Sequence, residues 1–218
     1  MSADTSGATG AFDAIAFDWG GVMTRGTFDS SAIVALAGLL GTRPEDLEGA
    51  YLRVMEGFEV GEFDMEGFHE RLGAATGTTS SLDEFRAAFL GAVRERPAMY
   101  RLIASLPDRY TVGVLSNNVP ELCDTVRDDP RLARVEAFVF SNEIGVRKPH
   151  TAAFEALSRA LGTPPERTVF VDDNRDNIAA CAALGFTGLL IDTPTAFAAR
   201  WRSALPDVAL PEGFDEHE

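Results

Sequence analysis

Residues 12–24 read FDAIAFDWGGVMT, and this stretch decides the fold. Ala14, Ile15, Ala16 and Phe17 form a short apolar run that stops at Asp18 and leads into Gly20-Gly21. Four apolar residues closed by an acid and a glycine pair predict a buried strand with a loop at its carboxyl end. Later runs have the same form: Tyr110 to Leu115 ends at Ser116-Asn117-Asn118, and Thr168 to Val171 ends at Asp172-Asp173. Ala137 to Phe140 and Thr187 to Ile191 add two more strands. Helices are predicted between them, over Met99 to Leu106, from Val119, over His150 to Leu161 and over Ile178 to Leu184. Short apolar strands alternating with helices define an α/β protein whose parallel sheet is covered on both faces.

From Ser30 to about Arg96 the pattern changes. Ile33, Leu36, Ala37 and Leu40 recur at helical spacing, as do Leu47, Ala50, Tyr51 and Val54. Met65, Phe68 and Leu72 mark a third helix, and Leu82, Phe85, Phe89 and Val93 a fourth. Gly61 and the segments around Gly41 and Gly77 separate them. The reading is therefore an α/β core of residues 11–27 and 97–205, a small all-helical domain of residues 28–96 inserted into it, and flexible termini, 1–10 and 206–218.

The 218 residues suit one large domain, or one domain with a smaller insertion. A formal charge of −15 argues against a nucleic-acid partner, because phosphate backbones are bound by concentrated Lys and Arg. Any site that handles phosphate must then supply its positive charge locally. Cys123 and Cys181 have neither disulfide nor zinc-ligand spacing and are expected to be buried thiols. MSADTSGATG lacks the basic and apolar regions of a secretory signal, and no stretch approaches a membrane span, so a cytoplasmic protein is expected.

Ligands bind at the carboxyl ends of strands in open α/β sheets. Asp18, Ser116-Asn117 and Asp172-Asp173 occupy such ends, and Arg147-Lys148-Pro149 directly precedes a helix. One acid after a strand is most often a helix cap, and one lysine a solvated charge. Four clusters in register describe a single site. Clustered carboxylates repel one another unless a cation intervenes, and hard oxygen ligands suit Mg2+. A lysine and a hydroxyl opposite them can hold phosphate oxygens. This set is most consistent with phosphoryl transfer to Asp18 and hydrolysis of the resulting aspartyl-phosphate.

The same residues resemble the haloacid dehalogenase (HAD) superfamily. FDWGGVMT, Phe17 to Thr24, resembles its first motif, Ser116 in VGVLSNN its second, Lys148 in RKP its third, and VFVDDNRDN, Val169 to Asn177, its fourth. The helical block falls where that family carries a helical cap on its Rossmann-like core. The resemblance implies Asp18 as nucleophile and Mg2+ ligand, with the Gly20 carbonyl, Asp172 and Asp173 as further ligands. Asp172 would also orient Lys148, and Asn177 would lie near metal-bound water. Ser116 and Lys148 would serve catalysis by binding the phosphoryl group, with Gly20, Gly21 and Asn117 beside it. The likeness is nearest to sugar-phosphate phosphatases and to the amino-terminal phosphatase domain of soluble epoxide hydrolases. It implies a small phosphorylated metabolite as partner, without nucleic acid or membrane, and a monomer or homodimer.

The chain departs from this resemblance at Gly20, where most phosphatases of the superfamily carry a second aspartate as acid and base. General acid–base help contributes about 10²–10⁴-fold. Three explanations stand open: a leaving group that needs little protonation, a substitute acid from the cap (Arg25, Glu59, Glu62 or His69) or from metal-bound water, or a protein that binds a phosphorylated ligand without turnover. A metal-independent 2-haloacid dehalogenase is a further alternative, since halide leaves without a proton. Asp172-Asp173 weighs against it, because uncompensated acids repel a carboxylate substrate. His150 is read as a capping or surface residue, and Phe58 and Phe63 as core or as the rim of a substrate mouth.

Overall fold

The computed structural model describes residues 12–212 and 214. The expected frayed segment 1–10 lies outside them. The strands are β1 (Ala14–Phe17), β2 (Thr111–Ser116), β3 (Ala137–Phe140), β4 (Thr168–Asp172) and β5 (Thr187–Leu190). They form a parallel sheet of order β3-β2-β1-β4-β5. Because β1 is central, Phe17 pairs with Val114 of β2 on one side and Val171 of β4 on the other. The residues that follow these strands are thereby brought to one edge of the sheet.

Side-chain alternation sets the two faces of β1. Ile15 and Phe17 join a large core with Phe197 and Trp201, while Ala14 and Ala16 face Phe154, Leu157 and Phe170. The covering helices, numbered after the four of the insertion, are α5 (Pro97–Ala104), α6 (Pro120–Arg127), α7 (Ser141–Ile144), α8 (Thr151–Leu161), α9 (Arg175–Ala183) and α10 (Pro194–Ala204). The short α7 was not anticipated. Helix α9 starts earlier than the expected Ile178, since its first turn, Arg175-Asp176-Asn177, is polar and Asn174 caps it by accepting from Asp176 N.

Between β1 and β2 lie α1 (Phe28–Leu40), α2 (Pro44–Glu59), α3 (Met65–Thr76) and α4 (Leu82–Leu90). Thr27, Asp64 and Ser81 cap their amino ends, Ser81 in a reciprocal box with Glu84. An aromatic cluster holds the block together: Phe58 stacks on Phe68 at 4.9 Å, and Phe28 meets Phe89 edge-on at 4.9 Å. The chain enters and leaves the block through paired segments, with Arg25 N donating to Arg94 O and Arg96 N to Met23 O. An antiparallel bridge joins Thr24 to Glu95 at the same place.

The carboxyl-terminal stretch differs from the expected loose extension. Val208 and Phe214 are buried, Phe214 packs on Phe197, and Trp201 Nε1 donates to Val208 O at 2.9 Å. Acidic, Pro- and Gly-rich composition hid these two apolar anchors. Both cysteines are free and buried, and burial pushes each thiol up to about 12. No helix among the described residues is long and apolar enough to cross a membrane. Ending the chain after Leu205 is expected to lower stability by about 3 kcal/mol, the scale of burying a valine and a phenylalanine. Urea denaturation checks this, and an unchanged midpoint would show the stretch to be dispensable.

Candidate active site

Asp18 follows β1 directly, and its N–H donates to Val171 O at 2.8 Å, so the loop after β1 is tied to β4. Trp19 N donates to Asp18 Oδ1 at 2.7 Å, which orients the carboxylate. Gly21 adopts φ +72° and donates to Thr24 Oγ1 at 2.8 Å. A Cβ on Gly21 would lie 2.0 Å from Asp173 Oδ2. The glycine is thus required by its backbone and by the carboxylate packed against it. From beyond the helical block, Arg96 Nη1 donates to the carbonyls of Gly21 and Val22 at 3.0 and 3.1 Å. The sequence reading missed Arg96, since a lone arginine before Pro97 carries no motif.

Lys148 is the centre of the site. It is 2% exposed, and its Nζ lies 2.8 Å from Asp18 Oδ1 and 2.8 Å from Asp172 Oδ2. The Asp172 carboxylate also accepts from Asn174 N at 2.8 Å and from Asn177 Nδ2 at 3.0 and 3.1 Å. Asn117 fixes the lysine's main chain reciprocally, donating to Lys148 O at 3.0 Å and accepting from Lys148 N at 2.8 Å. The Asn117 carboxamide is therefore committed to the Lys148 loop. Burial opposes charge on Lys148, but Asp172 and Asp18 outweigh it and hold the ammonium above its ordinary value. Burial also pushes Asp18 up to about 7, with Lys148 opposing, and Asp173 up to about 6.

Asp18, Asp172 and Asp173 each offer an oxygen within 4.8 Å of the others. A cavity of about 130 Å³ opens on Asp18, Gly20, Asn117, Lys148 and Asp173 from the core. Phe28, Asp29 and Glu59 close it from the inserted helices, with Arg147 beside them. Gly21, Ser116 and Asp172 do not line it. Ser116 ends β2 fully buried, with Oγ donating to Asn117 O at 3.3 Å.

Of the four expected cap candidates, Glu59 alone lines this cavity. Its Oε2 lies 3.1 Å from Arg147 Nη2, and Ser141 Oγ donates to its carbonyl at 2.5 Å. Although close to the guanidinium, the buried Oε2 has no aligned hydrogen bond among the described residues. His69 contacts Ser80 Oγ at 3.2 Å and the Phe85 ring, and does not face the cavity. Phe58 and Phe63 stack on each other inside the helical block and form no mouth. His150 caps α8 by accepting from Ala152 N, as expected. Asp29 escaped the sequence reading: it resembles any acid in a first helical turn, yet its Oδ1 accepts from Tyr51 Oη at 2.9 Å. Burial raises its pKa.

The acids thus stand at the ends of β1 and β4, with Lys148, from the loop after α7, buried between Asp18 and Asp172. The family described as haloacid dehalogenase-like hydrolase matches residues 12–185, and the chain belongs to it. The D-ribitol-5-phosphate phosphatase of Bacteroides thetaiotaomicron is 26% identical over 183 residues, covering 79% of this chain and 88% of that protein. A short match to drimenol cyclase drtB of Aspergillus calidoustus, 42% identical over 50 residues, covers 23% of this chain and only 10% of that protein. Among solved structures, a HAD family enzyme of B. thetaiotaomicron in complex with magnesium and inorganic phosphate matches with TM-score 0.68. It is 21% identical, and the match covers 82% of this chain and 93% of that one. The L-2-haloacid dehalogenase of Xanthobacter autotrophicus matches with TM-score 0.64 at 17% identity, covering 91% and 84%. Likeness at these identities shows the shared fold.

Two outcomes follow from the geometry. Gly21→Ala is expected to displace Asp173 and weaken divalent-cation binding by roughly 10–100-fold, the scale for disturbed ligand support; titration calorimetry with Mg2+ checks this, and unchanged affinity would mean that the loop absorbs the methyl group. Burial pushes the Glu59 carboxyl up to about 8 from an ordinary 4.5. A carboxyl that holds its proton more tightly when folded favours folding below its unfolded pKa, and that advantage is lost as pH rises toward the folded value. Stability of the wild type relative to Glu59→Gln should therefore fall between pH about 4.5 and about 8; parallel stability–pH curves would contradict the shift.

Proposed function

We propose that this chain is a Mg2+-dependent phosphomonoesterase acting on a small phosphorylated metabolite, a sugar or polyol phosphate, with Asp18 as nucleophile. The observation that carries the reading is Lys148 buried between Asp18 and Asp172, with Asp173 facing the same cavity. Lys148 favours the carboxylate form of Asp18 against burial and offers its charge to the oxygens of the transferring phosphoryl group. Attack of Asp18 on phosphorus expels the alcohol and leaves an aspartyl-phosphate, and water then attacks phosphorus to release phosphate. Gly20 lines the cavity beside this path, while the Gly21 N–H is spent on Thr24 Oγ1.

The residues fit a hard cation: the donors are all oxygens, and burial and neighbouring charge raise Asp18 and Asp173 together. Asp18, Asp173 and the Gly20 carbonyl would hold it. Asp172, expected among the ligands, has both oxygens engaged by Lys148, Asn174 and Asn177, so its part is to position the lysine. Bound Mg2+ supplies neutralisation of phosphoryl charge. Ser116 would act through its main chain and by shaping the end of β2, because its hydroxyl does not reach the cavity. The likeness to a D-ribitol-5-phosphate phosphatase supports the substrate class. We read the protein as cytoplasmic, and as a monomer or homodimer.

A screen of an aryl phosphate, sugar 1- and 6-phosphates and nucleotides tests the reading. Turnover is expected on at least one sugar phosphate, abolished by EDTA and by Asp18→Asn with the fold retained. Wild-type rates in Asp18→Asn would remove the mechanism. Halide release from 2-haloacids in EDTA would replace it with dehalogenation.

A further inference from the structure

The phosphatase reading leaves one chemical need unmet. An alkoxide leaving group requires a proton as its P–O bond breaks, and the position beside the nucleophile that would supply one is Gly20. Among the described residues the carboxyls lining the cavity are Asp18, Asp29, Glu59 and Asp173. Asp18 is the nucleophile, and Asp173 belongs to the cation site. Lys148 is clamped between two carboxylates. Asp29 has Oδ1 engaged by Tyr51 Oη. Glu59 remains. It sits at the end of α2, on the cavity wall formed by the inserted helices, 7% exposed, with Oε2 lacking an aligned hydrogen-bond donor.

We infer that Glu59, positioned by Arg147 and by Ser141, is the general acid and base of the reaction, supplied by the helical insertion in place of the nucleophile loop. This inference rests on the phosphatase reading above. In the first step the Glu59 carboxyl gives its proton to the bridging oxygen as the bond from phosphorus to the alcohol breaks and the bond to Asp18 forms. The resulting Glu59 carboxylate then takes a proton from the water that attacks phosphorus. The bond from phosphorus to Asp18 breaks, phosphate leaves, and Asp18 and Glu59 return to their starting states. Burial keeps Glu59 protonated at neutral pH despite Arg147, and Asp29 and Asp18 add to the effect. The Arg147 guanidinium at 3.1 Å is placed to stabilise the carboxylate formed after the transfer. Ser141, on α7 of the core, anchors the Glu59 main chain, so the acid is registered to the sheet as well as to its own helix.

The test is the leaving-group dependence of Glu59→Gln, a nearly isosteric change that removes only the transferable proton and the charge. With the intact protein and Mg2+, kcat/KM for a primary alkyl phosphate is expected to fall roughly 10²–10⁴-fold. That for 4-nitrophenyl phosphate, whose leaving group departs as a stable anion, should fall far less. Adding Gly20→Asp to Glu59→Gln should restore alkyl phosphate turnover, since a Cβ at Gly20 meets no heavy atom within 4 Å. Equal losses on both esters without rescue would reveal a merely structural role and overturn the inference, as would full alkyl phosphate activity in Glu59→Gln. If the wild type hydrolyses neither ester nor any sugar phosphate, the phosphatase reading itself fails, an outcome seen before any variant is compared.

Discussion

One buried ammonium organises this molecule's functional end. Lys148 lies between Asp18 and Asp172, at 2.8 Å from each, in a place from which solvent is excluded. Removing a charge from water is costly, and a buried cation persists only where opposite charge and hydrogen bonds replace hydration. Here two carboxylates do so, and they come from strands that neighbour each other in the sheet. The order β3-β2-β1-β4-β5 sets β1 beside β4, so that Asp18 and Asp172 arrive side by side. Asn117, from the end of β2, then fixes the lysine's main chain. Site and sheet topology are consequences of the same arrangement.

Much of this was legible because strands buried on both faces are written as continuous apolar runs. Each ended in the sequence near where it ends in space, and the polar residues just beyond were the ones brought together. What escaped notice depended on packing between elements distant in sequence. Asp29 and Tyr51 are 22 residues apart and meet only because α1 packs on α2. Arg96 reaches back 75 residues to the Gly21 carbonyl. Val208 and Phe214 were hidden by the composition around them. Ser116 was expected to meet the phosphoryl group through its hydroxyl, yet strand pairing with Phe140 and the turn at Asn117 leave it buried behind the cavity wall.

The glycine at position 20 takes on a different meaning once the cavity is seen. Its absent side chain leaves space, and Glu59, at the end of α2, lines the same cavity. Glu59 is held from two directions, by its own helix and by the Ser141 hydroxyl of the core. The loop after β1 brings Asp18 and Gly20 to the cavity, while the insertion contributes Phe28, Asp29 and Glu59 to its wall.

The central claim is that phosphorus passes through a covalent bond to Asp18. Rapid quenching during turnover of a phosphate ester, borohydride reduction and mass spectrometry of the peptide spanning residues 12–24 test it directly. An acyl phosphate at Asp18 is reduced to homoserine, so the account predicts homoserine at position 18 only when substrate and Mg2+ are both present. Turnover with position 18 left as unmodified aspartate throughout would contradict it.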